Sequence, residues 1–174
     1  CGGSGGGPNP GPSPGPSPTP VRQLTYQADP TPSTGPAISI QQTTRFLQPG
    51  RLNLVLRAHG LDDVVAIACR LRWDGQVAGV VHGDSGEFMY QGLAPTALTT
   101  SEANGGPGVF TLNLRRPSDQ PGSTGSGDVF VIHLGPGPGS TGATWIHYAE
   151  IPILRRGETT PYAVQQLSGT LRLE

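Results

Sequence analysis

Residues 64–74 read Val-Val-Ala-Ile-Ala-Cys-Arg-Leu-Arg-Trp-Asp, and their alternation decides the fold class. In an extended chain Val65, Ile67, Cys69, Leu71 and Trp73 fall on one side, while Ala66, Ala68, Arg70, Arg72 and Asp74 fall on the other. That period of two is the pattern of a strand with one buried face. The segment reads as the central strand of a sheet, with Cys69 and Trp73 directed into the core.

Working outward, Ile38 and Ile40 open a strand, Gln48-Pro49-Gly50-Arg51 makes a turn, and Leu52, Leu54 and Leu56 restore the same period, giving a hairpin-like pair. His59-Gly60-Leu61-Asp62-Asp63 reads as the connection into the central strand, and Asp74-Gly75 as the turn that ends it. Val77, Val80 and Val81 suggest a short strand, followed by His82 to Gly86 and then Phe88 to Tyr90. Gly92 to Gly108 is rich in Ala, Thr, Pro and Gly and reads as a long connection. Phe110, Leu112 and Leu114 alternate with polar residues as a half-buried strand. Pro117 to Gly127 reads as a polar loop before the nearly continuous apolar run Asp128 to Leu134. Thr144 to Leu154, Tyr162 to Val164 and Thr170 to Leu173 supply the closing strands. The sum is nine or ten strands, and the expectation is an all-β, antiparallel two-sheet sandwich of jelly-roll type.

The chain has 174 residues, enough for one domain plus an arm. Residues 1–36 hold no core-forming pattern and read as a Gly/Pro/Ser-rich tether, with one weak strand at residues 21–27; residues 37–174 form the sandwich. Twelve acidic residues against eleven arginines and no lysine leave a net charge of -1 and no basic footprint, which excludes nucleic acid as a partner. If the arm strand pairs with a neighbouring copy at a sheet edge, the chain becomes a self-assembling structural subunit of a filament or surface layer.

The stretch from Cys1, CGGSGGGPNPGPSPGPSPTP, resembles the mature end of a bacterial lipoprotein, a lipid-bearing cysteine followed by a small, polar tether. Alternating prolines favour extended polyproline II, so residues 8–20 would span about 40 Å at ~3.1 Å per residue. The resemblance implies a membrane anchor through lipid on Cys1 and a place in the bacterial cell envelope, outer-membrane-anchored or at the cell surface. Gly rather than Asp after Cys1 points, for a Gram-negative source, to the outer membrane.

The order of features from Ala37 to Leu173 resembles cohesin domains and the related carbohydrate-binding sandwich modules. The resemblance rests on Pro49-Gly50 before a Leu-alternating strand, the Ala-rich strand ending in Trp73-Asp74, Gly83-Asp84 after a Val-rich stretch, GSGDVFVIHL from Gly125, and the closing GTLRL from Gly169. It implies a nine-stranded jelly roll that binds without catalysing. Many dockerin-binding members carry Asn and Asp on the outward side of the strand matching residues 64–73, where this chain has Ala66 and Ala68. Methyl groups cannot replace those hydrogen bonds. The outward face Ala66, Ala68, Arg70 and Arg72 is instead a candidate protein-contact surface, arginine being favoured at such sites; a solvated sheet face is the plain alternative.

Catalytic and metal chemistry find little support. Gly83-Asp84-Ser85-Gly86 matches the nucleophile motif of chymotrypsin-like proteases, for which His59 and Asp62 or Asp63 would be nominees. Glu87 stands where that motif has another glycine, and a turn explains Gly-Asp-Ser-Gly equally well. His59, His82, His133 and His147 lack the spacing of a zinc site. Asp62, Asp63, Asp84 and Glu87 are weak calcium candidates on loops. No cofactor is expected. For a polysaccharide, the sugar-stacking candidates are Trp145, Tyr90, Tyr148 and Tyr162. The leading expectation is a non-catalytic envelope module contacting another envelope or extracellular protein, with polysaccharide binding and self-assembly as alternatives.

Overall fold

The computed structural model describes residues 15, 21–30, 34–45, 50–93, 99–104, 106 and 108–174. Cys1 and residues 2–14, 16–20 and 31–33 of the expected tether lie outside them, as do Gln48 and Pro49 of the expected turn. Twelve strands are present among the described residues: β1 (Leu24–Ala28), β2 (Ala37–Gln42), β3 (Leu52–Arg72), β4 (Ala78–Ser85), β5 (Thr99–Asn104), β6 (Val109–Arg115), β7 (Ser123–Pro136), β8 (Gly142–Trp145), β9 (His147–Glu150), β10 (Ile153–Arg155), β11 (Gln165–Leu167) and β12 (Gly169–Leu173). A 3-10 turn spans Phe88–Tyr90.

β3 organises both layers. Its first half pairs with β2 on one side and β7 on the other, and β4 pairs with β7, giving the layer β11-β2-β3-β7-β4. Its second half pairs with β6 and with β9 and β10, and β5 extends β6, giving the layer β9/β10-β3-β6-β5. Ile67, Cys69, Leu71 and Trp73 point inward and are buried together with Phe110, Leu112, Leu114, Phe130 and Ile132. From Ile67 to Asp74 the alternation is therefore the division between core and solvent, but the expectation fails at its start. Val64, not Val65, is buried in the core, and Val65 is half-exposed beside Ala66, because the β3/β7 register shifts between Leu61 and Val64. A third, small sheet β1-β12-β8 adds Leu24, Leu171 and Leu173 to the same core.

The stretch 59–63 is not a loop, as its glycine and paired aspartates suggested, but a bend inside one 21-residue strand. Gly60 and Asp63 take positive φ values of 55° and 45°, and the β3/β7 register shifts there. A short polar side chain tolerates that backbone region better than most. The amides freed by the bend are satisfied by side chains: Gly60 N donates to Ser126 Oγ at 2.9 Å and Asp63 N to Thr124 Oγ1 at 3.0 Å.

Other expectations are corrected in detail. The connection from Gly92 to Gly108 contains strand β5, an edge strand whose sequence TTSEAN carries no apolar alternation. The loop expected from Pro117 ends early, because residues 123–127 already belong to β7. Thr144 to Leu154 breaks into β8, β9 and β10, and Tyr162 to Val164 is irregular chain leading into β11. β11 runs parallel to β2, so one pair departs from the antiparallel rule. β1 starts at Leu24 and pairs with β12 of its own chain, with Gln23 and Glu174 exchanging backbone hydrogen bonds just beyond it.

Candidate functional site

The outward side of the second layer is built by cross-strand register. Ala66 stands opposite Arg115, Ala68 opposite Asn113, Arg70 opposite Thr111 and Arg72 opposite Val109 on β6. On the other flank Leu154 faces Ala66, Glu150 faces Arg70 and His147 faces Arg72. All four residues expected on the recognition face thus share one surface, and Arg115, Asn113, Glu150 and Leu154 join them.

Because Ala66 and Ala68 end at a methyl group, the face is hollow along β3. A depression of about 290 Å³ is lined by Ala66, Ala68, Asn113 and Arg115. A second of about 190 Å³ shares Ala68 and Asn113 and adds Arg70, Thr111, Glu150 and Pro152. A third of about 240 Å³ shares Ala66 and Arg115 and runs to Leu154, Arg155 and Glu158. Shared lining residues make these one trough.

Charge on the trough is unbalanced. Arg155 is paired with Glu158 at 2.6 Å and lies 4.6 Å from the Tyr162 ring centre, and Arg156 lies 3.6 Å from Asp63. Arg70, Arg72 and Arg115 have no ion-pair partner among the described residues. Arg70 Nε is buried and has no hydrogen-bond partner there either. Beneath the face, burial pushes the Cys69 thiol up to about 12, the behaviour of a packing residue.

The opposite layer carries a polar cluster that histidine spacing did not reveal. His82 and His133 lie on neighbouring strands with stacked rings 5.9 Å apart, and Asp84 reaches both, at 3.4 Å and 2.7 Å. Asn53 Nδ2 donates to the Arg45 carbonyl, so its Oδ1 accepts from His133 Nδ1 at 2.7 Å. His59 is apart from this cluster, its Nε2 2.7 Å from Ser39 Oγ; burial and the neighbouring Arg57 lower its pKa. His147 is exposed on β9. Nearby, Asp128 is buried and bonds Arg45 at 2.8 Å and Arg57 at 2.7 Å. Among the described residues no three His, Cys, Asp or Glu side chains form a metal-holding group.

The calcium candidates have separate partners. Asp62 Oδ1 accepts from Thr124 Oγ1 and Asp63 Oδ1 from Gly122 N, whereas Asp84 serves the histidines and Glu87 is exposed at the start of the 3-10 turn. Ser85 lies at the exposed end of β4, and among the described residues no histidine bonds to it. Gly86 has a packing reason: a Cβ there would lie 2.0 Å from the Asp128 carbonyl oxygen. Of the aromatic candidates only Trp145 is exposed, at 42%. Tyr148 is mostly buried and donates to the Leu167 carbonyl, Tyr162 lies under Arg155, and Tyr90 lines a depression of about 420 Å³ with Arg45, Ser85 and Glu87.

The two-layer β-sandwich of this chain is a cohesin-like fold. It is similar to the non-cellulosomal cohesin of the hyperthermophilic archaeon Archaeoglobus fulgidus, at 15% identity over 71% of this chain and 80% of that one, with a TM-score of 0.55. It is similar also to the sixth cohesin of Acetivibrio cellulolyticus scaffoldin B, solved in complex with a Cel5 dockerin, at 12% identity over 79% and 97%, with a TM-score of 0.62. The second type II cohesin module of the ScaA adaptor scaffoldin from the same organism gives 11% identity over 79% and 90%, with a TM-score of 0.61. No protein-family model and no curated protein matches the sequence.

Proposed function

We propose that this domain is a non-catalytic protein-contact module that docks a partner protein on the trough of β3, β6, β9 and β10. The observation that carries the reading is the run of adjoining hollows floored by Ala66 and Ala68 and edged by Arg70 and Arg115, with Arg72 next along the same face. The cohesin-like fold supports it, since a structural neighbour was solved with a protein partner, a dockerin. Docking here does not use the Asn and Asp contacts expected of many dockerin-binding cohesins, because Ala66 and Ala68 have only methyl groups to offer. Its floor favours apolar contact instead.

A photo-crosslinking side chain placed at position 68 tests this, with the same group at exposed Gln166 as control. In native envelope extracts the expected result is one discrete adduct from position 68 that Ala66→Arg suppresses. Equal adducts from both positions, or an adduct indifferent to Ala66→Arg, would refute the docking face. An envelope location is part of the same proposal, supported by the Gly/Pro-rich composition that precedes β1. Mass spectrometry of the N-terminal peptide from native membranes checks it, and an unmodified Cys1 would remove the lipid anchor.

A further inference from the structure

We infer that the partner presents an acidic surface: an apolar ridge to fill the alanine trough, flanked by carboxylates that pair with Arg70, Arg72 and Arg115. This rests on the contact-module reading and adds the partner's chemistry.

The whole chain has a net charge of -1, yet this face holds three arginines without ion partners, Arg70 and Arg115 lining the hollows and Arg72 beside them, against one cross-strand carboxylate, Glu150, an excess of +2 over these four residues. Glu150 sits across from Arg70 and lines the same hollow, but the two do not close into an ion pair. Arg70 therefore keeps a buried Nε–H without an acceptor among the described residues. A charged side chain without an acidic partner is free to pair, and an incoming carboxylate forms a charge-assisted hydrogen bond to the Arg70 guanidinium. Arg72 and Arg115 stand on either side of Arg70 along the face, so carboxylates on both sides of an inserted apolar side chain meet a cation.

A second copy does not suit this face. A two-fold contact brings the same patch against itself, here +2 against +2 over paired arginines. Extended polyanions are a poor match, because three arginines around a methyl-floored hollow offer no basic stripe. The matching chemistry is a protein element with Asp or Glu beside small or branched apolar residues.

The test uses three synthetic helical peptides of about 15 residues, the length an isolated helix requires. They share one stripe of Leu and Ala and carry Glu, Gln or Lys on its flanks. Binding is followed through the methyl NMR signals of Ala66 and Ala68 in the full chain. The Glu peptide is expected to shift both methyls saturably, at least about tenfold tighter than the Gln peptide, a difference of about 1.4 kcal/mol. Added salt should weaken it, and the triple variant Arg70→Gln, Arg72→Gln, Arg115→Gln should bind the Glu and Gln peptides alike. Circular dichroism of that variant confirms that it folds. Equal or tighter binding of the Gln or Lys peptide at these methyls overturns the acidic partner and leaves the contact module intact. No shift from any peptide overturns the inference, and the position-68 adduct then decides the contact module separately. Heparin moving the same methyls as strongly as the Glu peptide overturns it too, since charge alone would then suffice.

Discussion

Arg116→Met should destabilise the domain more than any change on its exposed faces. Arg116 follows β6, is 2% exposed, and places one guanidinium on three acceptors. Nη1 donates to the Met89 carbonyl at 2.7 Å and to Ser123 Oγ at 2.9 Å, and Nη2 donates to the Gln91 carbonyl at 2.5 Å. These bonds fasten the Phe88–Tyr90 turn, and with it fully buried Phe88 and Met89, to β6 and β7. A hydrogen bond from a charged donor contributes about 1.5–3 kcal/mol in mutational series. Gln91 is exposed and its carbonyl recovers a water on mutation, whereas the Met89 acceptor is left dry. Methionine in turn removes a buried charge and the unpartnered Nε, which offsets part of the loss. The net is about 3 kcal/mol, or a melting temperature lower by about 6–12 °C for a chain of this size. Thermal and urea unfolding followed by near-ultraviolet circular dichroism measures it, and hydrogen exchange should show residues 88–93 opening first. Arg116→Lys, keeping charge but not the fork, should fall between. A loss below about 1 kcal/mol would refute the assignment of this turn's anchorage to Arg116.

Gly86→Ala forces a methyl group against the Asp128 carbonyl and should destabilise by about 1–3 kcal/mol, while exposed Ser85→Ala stays within about 0.5 kcal/mol in the same urea melts. The Cys69 thiol, raised to about 12 by burial, should resist a disulfide reagent at pH 8 and react only as the domain unfolds; labelling of native protein at the denatured rate would contradict this. Burial, then Arg57, lower the pKa of His59 in the folded state, so the unfolded chain binds more protons as pH falls below about 6.5. The stability of wild type relative to His59→Gln should therefore decline between pH 8 and pH 5, and a flat difference would show that His59 is not the titrating group.

The sheet core was legible because period-two alternation is local. Ile67, Cys69, Leu71 and Trp73, the Phe110-Leu112-Leu114 set and the run Asp128 to Leu134 each declare their buried side without help from distant sequence. What was missed depends on pairing. Gly60 and Asp63 have turn chemistry, but Ser126 and Thr124 on the facing strand hold their amides and turn a break into a bend. β5 and β11 are polar edge strands, recognisable only by the strands beside them. The histidine pair arises from a register shift between Val80 and His82 against β7, which no spacing along the chain encodes. The same holds for the trough: Ala66, Ala68, Arg70 and Arg72 alternate visibly, but Arg115, Asn113 and Glu150 join them only through cross-strand register.

The bend in β3 has a consequence for how the domain comes apart. One backbone contributes hydrogen bonds to both layers, at 54–59 with β2 and at 66–72 with β6, so neither layer has a central strand of its own to keep if the other melts. The two layers therefore behave as a single unit of unfolding, and amides on either side of Gly60 should exchange with one shared opening energy. A proteolytic nick at residues 60–62 would uncouple them, turning one cooperative transition into two.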